Sequence, residues 1–250
     1  MNPHLPPSIL PSMVIESTTD LGSDAIQNPG KYAGFMGISV GHKFFSKSTM
    51  EYFLQWGSKI FSEFLILLMD DPDMYNFKVF ENLTEAEALN KARIIGDERA
   101  RSYQKVIRKI GVTNIKIVQF RDFIYTPQYK DLLFKTKDYA LHNKDFKCEL
   151  IGLMEEGIGG KIEEYVKLKS LTTEELVTIK ETLSGYILEE FVSLLYFSEN
   201  GYPIEVDPTR EFSTKTMVYN NAFPEFNKLL SLSKRGHIFV HPEGIMKSTY

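Results

Sequence analysis

The feature that most constrains the fold is an uninterrupted apolar run from Phe64 to Met69, closed by Asp70, Asp71 and Pro72. A run of this length without polar alternation predicts a short strand that is buried on both faces and ends at a turn. Strands of this kind occur in parallel sheets that carry helices on both sides. The run therefore favours an α/β fold.

Strand and helix patterns alternate along the chain. The predicted strands cover 33–40, 63–69, 115–120, 204–206 and 237–241, and the predicted helices cover 48–62, 85–110, 129–139, 172–196 and 223–232. The glycines within 157–160 predict a loose stretch in a segment, 149–169, that is helical in part. With right-handed crossovers, this alternation predicts one Rossmann-like domain with a mostly parallel sheet over 31–250, after a flexible lead-in over 1–30.

Composition narrows the setting in which the chain works. The single cysteine, Cys148, excludes an internal disulfide framework and a cysteine-based zinc cluster, and it fits a reducing cytoplasm. No apolar stretch reaches transmembrane length, and the N-terminus lacks the pattern of a signal peptide. The net charge of −4 argues against a protein that coats nucleic acid, but it allows a local basic patch. No nucleotide-binding loop or metal-ligand pairing is found, so we expect neither a cofactor nor a metal.

A serine flanked by glycines follows the first predicted strand, in Gly37-Ile38-Ser39-Val40-Gly41. A strand that leaves the sheet there places the Ser39 hydroxyl at the mouth of a pocket, which makes Ser39 a candidate nucleophile. The pattern also occurs in the nucleophile elbow of α/β-hydrolases. A serine esterase is therefore an alternative, with Asp207 as the acid and His237 or His241 as the base. Hydrolase elbows usually follow several earlier strands, however, and a simple turn after the strand is a further interpretation.

Tyr186 and Glu190 lie four residues apart in a predicted helix and so share one face. Apolar residues flank them, and a carboxylate on an apolar face costs free energy unless it meets a partner such as an ammonium group. The pair is therefore a candidate amine-binding site. The alternative is an exposed or lysine-paired Glu190 and a Tyr186 that packs in the core.

Together the two segments resemble the signatures of the cyclodipeptide synthase family. The matching stretches are Ala33-Gly34-Phe35-Met36-Gly37-Ile38-Ser39 and Tyr186-Ile187-Leu188-Glu189-Glu190-Phe191-Val192. The resemblance extends to Gly41-His42-Lys43-Phe44-Phe45-Ser46, Trp56, Leu68-Met69-Asp70-Asp71-Pro72 and the Ala/Arg-rich segment 86–101, and it covers about residues 33–240. The departures are Ala33 for a histidine, Phe35 and Met36 for β-branched residues, and Val192 for a proline. They indicate a divergent member, but none removes a reacting group.

The resemblance implies a fold similar to the catalytic domain of class I tyrosyl- and tryptophanyl-tRNA synthetases. It implies an enzyme that converts two aminoacyl-tRNAs into a cyclic dipeptide (a 2,5-diketopiperazine) without ATP, cofactor or metal. Ser39 would carry first an aminoacyl and then a dipeptidyl group, while Tyr186 and Glu190 would bind the α-ammonium group. A further catalytic tyrosine of the family has two candidates here, Tyr202 or a replacement by Asp207.

Further expectations concern the pocket walls and the assembly of the protein. Phe35, Gly37 and His42 are predicted to line the substrate pocket, together with Asp207. We expect a monomer with no obligate protein partner and no membrane contact. A tRNA-binding relative without catalytic activity is a second alternative.

A tRNA substrate requires a cationic surface, because phosphate contacts supply much of the affinity. The predicted contacts all lie on the helix over 85–110, namely Lys91, Arg93, Arg99, Arg101, Lys105, Arg108 and Lys109. Arg101, Lys105 and Arg108 follow i, i+4, i+7 spacing and form one stripe. The alternative is an ordinary solvated helix surface, and the acidic Asp97 and Glu98 dilute the positive charge.

Overall fold

The computed structural model describes residues 13–208, 222–230 and 235–244, and its centre is a six-stranded sheet. The strands are β1 (Met13–Thr18), β2 (Gly34–Ile38), β3 (Phe64–Leu68), β4 (Ile115–Gln119), β5 (Ile204–Asp207) and β6 (Gly236–Pro242). Their order in the sheet is β1-β6-β5-β2-β3-β4. The strands β2 to β6 are parallel, while β1 pairs antiparallel with β6. The predicted α/β fold with a mostly parallel sheet is confirmed.

Helices cover both faces of the sheet. They are α1 (Asp20–Gln27), α2 (Lys47–Ile60), α3 (Asp73–Phe80), α4 (Glu85–Ile110), α5 (Pro127–His142), α6 (Lys144–Lys169), α7 (Thr173–Glu199) and the single turn α8 (Pro224–Asn227). One core lies between the sheet and α1, α2 and α4. The other lies between the sheet and α5, α6 and α7. The strand β3 is buried along its whole length and contributes alternate side chains to both cores, as its apolar sequence predicts.

The order of the strands reverses between β2 and β5. From β2 the chain runs outward through β3 and β4, and it then returns to place β5 on the other side of β2. In open α/β sheets the loops at the carboxyl ends of the strands diverge at such a point and leave a crevice. Ser39 directly follows β2 and Pro208 directly follows β5, so the topology brings both to this crevice.

The long helix α4 has the predicted boundaries because local sequence fixes both ends. Thr84 and Glu87 form a reciprocal capping box at its start. Gly111 ends it in the left-handed conformation, with φ of 72°, which glycine adopts without steric cost. Within the described ranges, no helix combines the length and the apolar character needed to cross a bilayer.

The folded domain begins before residue 31. The predicted flexible lead-in over 1–30 is wrong for its second half, because Met13–Thr18 forms the edge strand beside β6 and α1 follows it. The backbone hydrogen bonds of β1 to β6 outweigh the polar, turn-rich composition of this segment. Residues 1–12 lie outside the described residues.

The helix α6 is continuous through the glycines at 157–160, where a loose stretch was expected. Its buried side chains, Ile158 and Ile162 among them, belong to the core shared with α7. The backbone at Gly157 also packs close to α7, since a Cβ added there would lie 3.9 Å from the Ile187 side chain. This packing outweighs the low helix propensity of glycine, which costs roughly 1 kcal/mol per residue. The predicted C-terminal helix over 223–232 is only the turn α8, and its last two positions lie outside the described residues.

Candidate active site

A pocket of about 590 Å³ opens at the crevice between β2 and β5. Its walls come from the loop after β2, the first turn of α3, and facing parts of α6, α7 and β5. It brings together Ser39, Tyr186 and Glu190, which the sequence places in two segments far apart. Its volume is in the range of pockets that bind small molecules or the reactive end of a larger substrate.

The loop that carries Ser39 is held in place by α4. Arg99 donates to the carbonyl oxygens of Val40 and Phe45, at 3.1 Å in both cases. The buried Tyr103 hydroxyl donates to the same Phe45 carbonyl at 2.6 Å. Burial raises the pKa of Tyr103 to about 12, so this hydroxyl stays protonated at neutral pH. These bonds fix the backbone on the C-terminal side of Ser39 and so define the position of its hydroxyl.

A buried carboxylate, Asp73, faces the Ser39 hydroxyl. Ser39 Oγ lies 3.2 and 3.3 Å from the two carboxylate oxygens. The Gly41 N–H donates to the same carboxylate at 2.9 Å, and the side-chain amide of Asn76 donates to it at 3.0 Å. Burial raises the pKa of Asp73, although these hydrogen bonds and the nearby charge of Lys161 oppose the shift. The sequence analysis missed Asp73, because an aspartate after Pro72 also fits the ordinary first turn of a helix.

Tyr186 and Glu190 enter the pocket from the same face of α7, as their spacing predicts. Tyr186 is buried and Glu190 is partly exposed. The adjacent Glu189 points elsewhere and accepts a hydrogen bond from the Tyr75 hydroxyl at 3.0 Å. The helix therefore presents only one of its two consecutive glutamates to the pocket.

Lys161 and His42 add two further titratable groups to the pocket wall. Lys161 Nζ lies 4.2 Å from the centre of the Phe80 ring. Lys161 is exposed as a whole residue, but partial desolvation of its ammonium group in the pocket wall lowers its pKa, while Asp73 and Glu81 favour the charged form. Burial also lowers the pKa of His42, an effect to which Lys161 and Arg99 add, so His42 is neutral at neutral pH. The sequence analysis missed Lys161 because it directly follows the glycines predicted to be loose.

The predicted pocket walls divide into residues at the surface of the pocket and one residue behind it. Gly37, His42 and Asp207 line the pocket. A Cβ at Gly37 would lie 3.3 Å from Leu194, so the glycine keeps this wall open. Phe35 was predicted in the wrong place: it is fully buried, packs beside Phe197 with ring centres 6.1 Å apart, and is not among the lining residues.

The described residues were also compared with the ligand sets of metal sites. In the part of the chain that the structure describes, no three His, Cys, Asp or Glu side chains cluster as metal ligands. The functional groups in the pocket are a hydroxyl, carboxylates, a phenol, an imidazole and ammonium groups. Such a set suits acyl transfer and proton transfer.

The known proteins that are similar to this chain include cyclodipeptide synthases. No family model matches the sequence. A cyclo(L-leucyl-L-leucyl) synthase of Photorhabdus laumondii is 24% identical over 155 residues, a match that covers 61% of this chain. The match spans 65% of the relative's own length, just under two thirds.

Solved structures extend the comparison to nearly the whole chain. A Mycobacterium tuberculosis protein has a TM-score of 0.67 and 15% identity over 96% of this chain and 99% of its own, and its structure relates cyclodipeptide synthetases to type I tRNA synthetases. This chain has the cyclodipeptide synthase fold. A second cyclodipeptide synthase, from Candidatus Glomeribacter gigasporarum and bound to Phe-tRNAPhe, has a TM-score of 0.57 and 16% identity over 90% of this chain and 92% of its own. The predicted family resemblance is confirmed.

Tyr202 and Asp207, the two candidates for a further catalytic residue, lie at opposite ends of β5. Tyr202 precedes β5 and donates its hydroxyl to Glu63, which precedes β3 and also pairs with Lys116 at 2.6 Å. It thus lies at the amino edge of the sheet, roughly 10 Å or more from the pocket along the strand. Tyr202 is therefore not among the described residues that line this pocket. Asp207, the other candidate, lies at the carboxyl end of β5 and lines the pocket.

The two histidines of the esterase alternative are also away from Ser39. Both lie on β6, which β5 separates from β2. His241 Nε2 lies 3.1 Å from a carboxylate oxygen of Glu16, and His237 is buried beside β5. Neither is among the described residues that line the pocket, so the proposed triad does not form in this cyclodipeptide synthase fold.

The predicted tRNA contacts on α4 form two groups. Four are engaged within the protein: Lys91 with Glu81, Arg93 with Asp71, Lys109 with Glu51, and Arg99 with the Ser39 loop. The other three, Arg101, Lys105 and Arg108, are exposed and make no ion pair with any described residue. The three residues of the predicted stripe therefore lie on the exposed surface of α4.

Proposed function

We propose that the protein is a cyclodipeptide synthase, an aminoacyltransferase that joins the aminoacyl groups of two aminoacyl-tRNAs into a cyclic dipeptide. The observation that carries the proposal is the position of Ser39, Tyr186 and Glu190 in one pocket at the strand-order reversal. The similarity to the Photorhabdus synthase supports the same reaction class.

Ser39 is the acyl acceptor in the first step. Its Oγ attacks the ester carbonyl of the first aminoacyl-tRNA, the bond from Oγ to the acyl carbon forms, and the tRNA leaves with a free ribose hydroxyl. The substrate ester is already activated, so the step requires no ATP. The product is an aminoacyl ester of Ser39.

Tyr186 and Glu190 hold the α-ammonium group of the bound aminoacyl moiety. A carboxylate on the apolar wall of α7 is stabilised by a cationic partner, and the phenol supplies a second polar contact. Glu190 also accepts a proton when the ammonium becomes a nucleophilic amine. This pair therefore fixes the orientation of the substrate and prepares it for the next step.

The second aminoacyl-tRNA supplies the second residue. The amine of the Ser39-bound residue attacks the second ester, which releases the second tRNA and leaves a dipeptidyl group on Ser39. The free amine of that dipeptide then attacks the Ser39 ester, closes a six-membered ring and restores the serine hydroxyl. Two peptide bonds form, and two ester bonds to tRNA are consumed.

The stripe on α4 gives this enzyme its contact with tRNA. From Arg99, which holds the Ser39 loop, the second half of α4 continues to Gly111, close to the start of β4. Arg101 and Arg108 are about 10 Å apart along it at 1.5 Å per residue, enough to follow the phosphates of an acceptor stem. The Candidatus Glomeribacter gigasporarum enzyme bound to Phe-tRNAPhe supports tRNA as the carrier. We also expect a monomer that acts in the cytoplasm, where aminoacyl-tRNA is made.

Expression in a bacterial host tests the function directly. The culture medium is analysed by mass spectrometry for diketopiperazines with the wild type, Ser39→Ala, and the control Ser184→Ala, which alters an exposed serine of α7 outside the pocket. We expect product with the wild type and the control and none with Ser39→Ala. Wild-type protein that binds tRNA but forms no product would favour a non-catalytic relative. An ester hydrolase activity lost in His237→Ala would favour the esterase.

A further inference from the structure

The serine nucleophile needs a group that removes its proton, because a serine hydroxyl is a weak nucleophile at neutral pH. In the pocket, the Ser39 hydroxyl donates to Asp73, and its Oγ lies 3.2 and 3.3 Å from the two carboxylate oxygens. His42 is a less suitable base, since its Nδ1 accepts the Phe44 N–H at 3.2 Å. The position next to the nucleophile is therefore taken by a carboxylate.

The surroundings of Asp73 hold its carboxylate in one orientation. The Gly41 N–H and the Asn76 amide donate to it from two different elements, and its side chain is 2% exposed. It is also the first residue of α3, where the helix dipole favours negative charge. The other titratable groups that line the pocket are His42 and Lys43 of the loop after β2, Glu81 after α3, Lys161 of α6, Tyr186 and Glu190 of α7, and Glu205 and Asp207 of β5.

We propose that Asp73 is the catalytic base for Ser39, an inference that rests on the proposed acyl-transfer function. As Oγ bonds to the ester carbonyl, its proton moves to the Asp73 carboxylate. The same proton then passes to the ribose oxygen as the carbonyl–ribose bond breaks, so the carboxylate is restored and the tRNA leaves as an alcohol. The step is balanced without any further reactant.

The last step of the reaction uses Asp73 in the opposite direction. When the dipeptide amine attacks the Ser39 ester, the serine oxygen leaves and needs a proton. Asp73, positioned against that oxygen, relays the proton released by the attacking amine to it. Asp73 therefore moves protons at the serine oxygen in the first and the last step, whereas Glu190 acts on the α-ammonium group of the first residue.

Single-turnover acylation tests this role. Purified enzyme is mixed with radiolabelled aminoacyl-tRNA, and the label on Ser39 is followed over time at several pH values. We expect Asp73→Asn to slow acylation by about 10²- to 10⁴-fold, the range for loss of a general base. The control Asp145→Asn removes an exposed aspartate from the first turn of α6 and should acylate at the wild-type rate.

The pH profile separates catalysis from a structural role. Burial raises the pKa of Asp73 above its ordinary 3.8. Wild-type acylation should therefore fall as the pH decreases through that raised value, and the slow Asp73→Asn reaction should lack this fall. Asn76→Ala removes a donor to the carboxylate and should move the midpoint to higher pH, which provides a test even where Asp73→Asn folds poorly.

The outcomes distinguish this inference from the function on which it rests. If wild-type Ser39 acquires no label, the proposed function fails and the role of Asp73 fails with it. If the wild type is labelled and Asp73→Asn matches its rate and pH profile, only the role of Asp73 is overturned. An unchanged midpoint in Asn76→Ala would also count against it.

Discussion

Two pairs of tyrosine and glutamate lie at opposite edges of the parallel sheet and differ in what surrounds them. At the amino edge, Tyr202 donates to Glu63, which is also held by Lys116. At the carboxyl edge, Tyr186 and Glu190 line an open pocket beside Ser39. The first pair links elements of the protein to each other, whereas the second faces space that a substrate can fill. The comparison teaches that the same two residue types can link structural elements at one edge of the sheet and line a pocket at the other.

The largest expected difference between the edges concerns the two glutamates. Glu190→Gln removes the charge that we assign to ammonium binding and proton transfer, and it should lower the rate of cyclic dipeptide formation at least about 100-fold. Glu63→Gln keeps a hydrogen-bond acceptor for Tyr202 and should leave the rate within about twofold. Both are measured with purified enzyme and saturating aminoacyl-tRNA. Equal losses in the two variants would remove the distinction between the edges.

Substitution of the two tyrosines tests the same difference between the edges, with smaller expected effects on the rate. Tyr186→Phe should lower the rate about 10-fold, because it removes one polar contact to the substrate. Tyr202→Phe should preserve the rate but lower the free energy of unfolding by about 1 kcal/mol, the value of a typical hydrogen bond. Urea denaturation and steady-state kinetics measured on both variants check this. If the Tyr202→Phe variant is stable but loses activity, the Tyr202 hydroxyl contributes to catalysis and the distinction between the two tyrosines fails.

The basic stripe on α4 should affect binding more than chemistry. Neutralising Arg101, Lys105 and Arg108 to alanine should raise KM for aminoacyl-tRNA several-fold and lower the slope of log KM against log salt concentration by about 2. The control neutralises three exposed lysines on α6, Lys144, Lys167 and Lys169. If both triple variants respond alike, only total charge matters and the stripe has no specific role.

Sequence patterns locate much of this carboxyl edge, for physical reasons. A glycine-flanked serine after a strand and a four-residue spacing on a helix are local features, and they identify Ser39 and the α7 pair. Asp73 becomes visible only through its contact with Ser39, 34 positions away. The choice between Tyr202 and Asp207 depends on which end of β5 lies at the pocket, and a single sequence does not show which end that is. The strand β1 was missed because its pairing partner, β6, lies more than 200 residues later.

The smallest expected effect concerns stability at the carboxyl edge. Burial raises the pKa of Asp70 from 3.8 to about 6, so the folded state retains a proton that the unfolded state releases. The contribution of Asp70 to stability should therefore fall as the pH rises from about 4 to about 6, by at most about 3 kcal/mol. Asp70→Asn should flatten this decline in urea denaturation, whereas the control Asp131→Asn, on exposed α5 surface, should not.

The proposed reaction passes through a covalent aminoacyl group on one defined atom, Ser39 Oγ. Wild-type enzyme is incubated with a single species of aminoacyl-tRNA, quenched in acid, and analysed by intact-protein and peptide mass spectrometry. We predict a mass increase of one aminoacyl residue, mapped to the peptide that contains Ser39 and absent from Ser39→Ala. Cyclic dipeptide formed by Ser39→Ala, or an aminoacyl group mapped to another residue, would contradict the account.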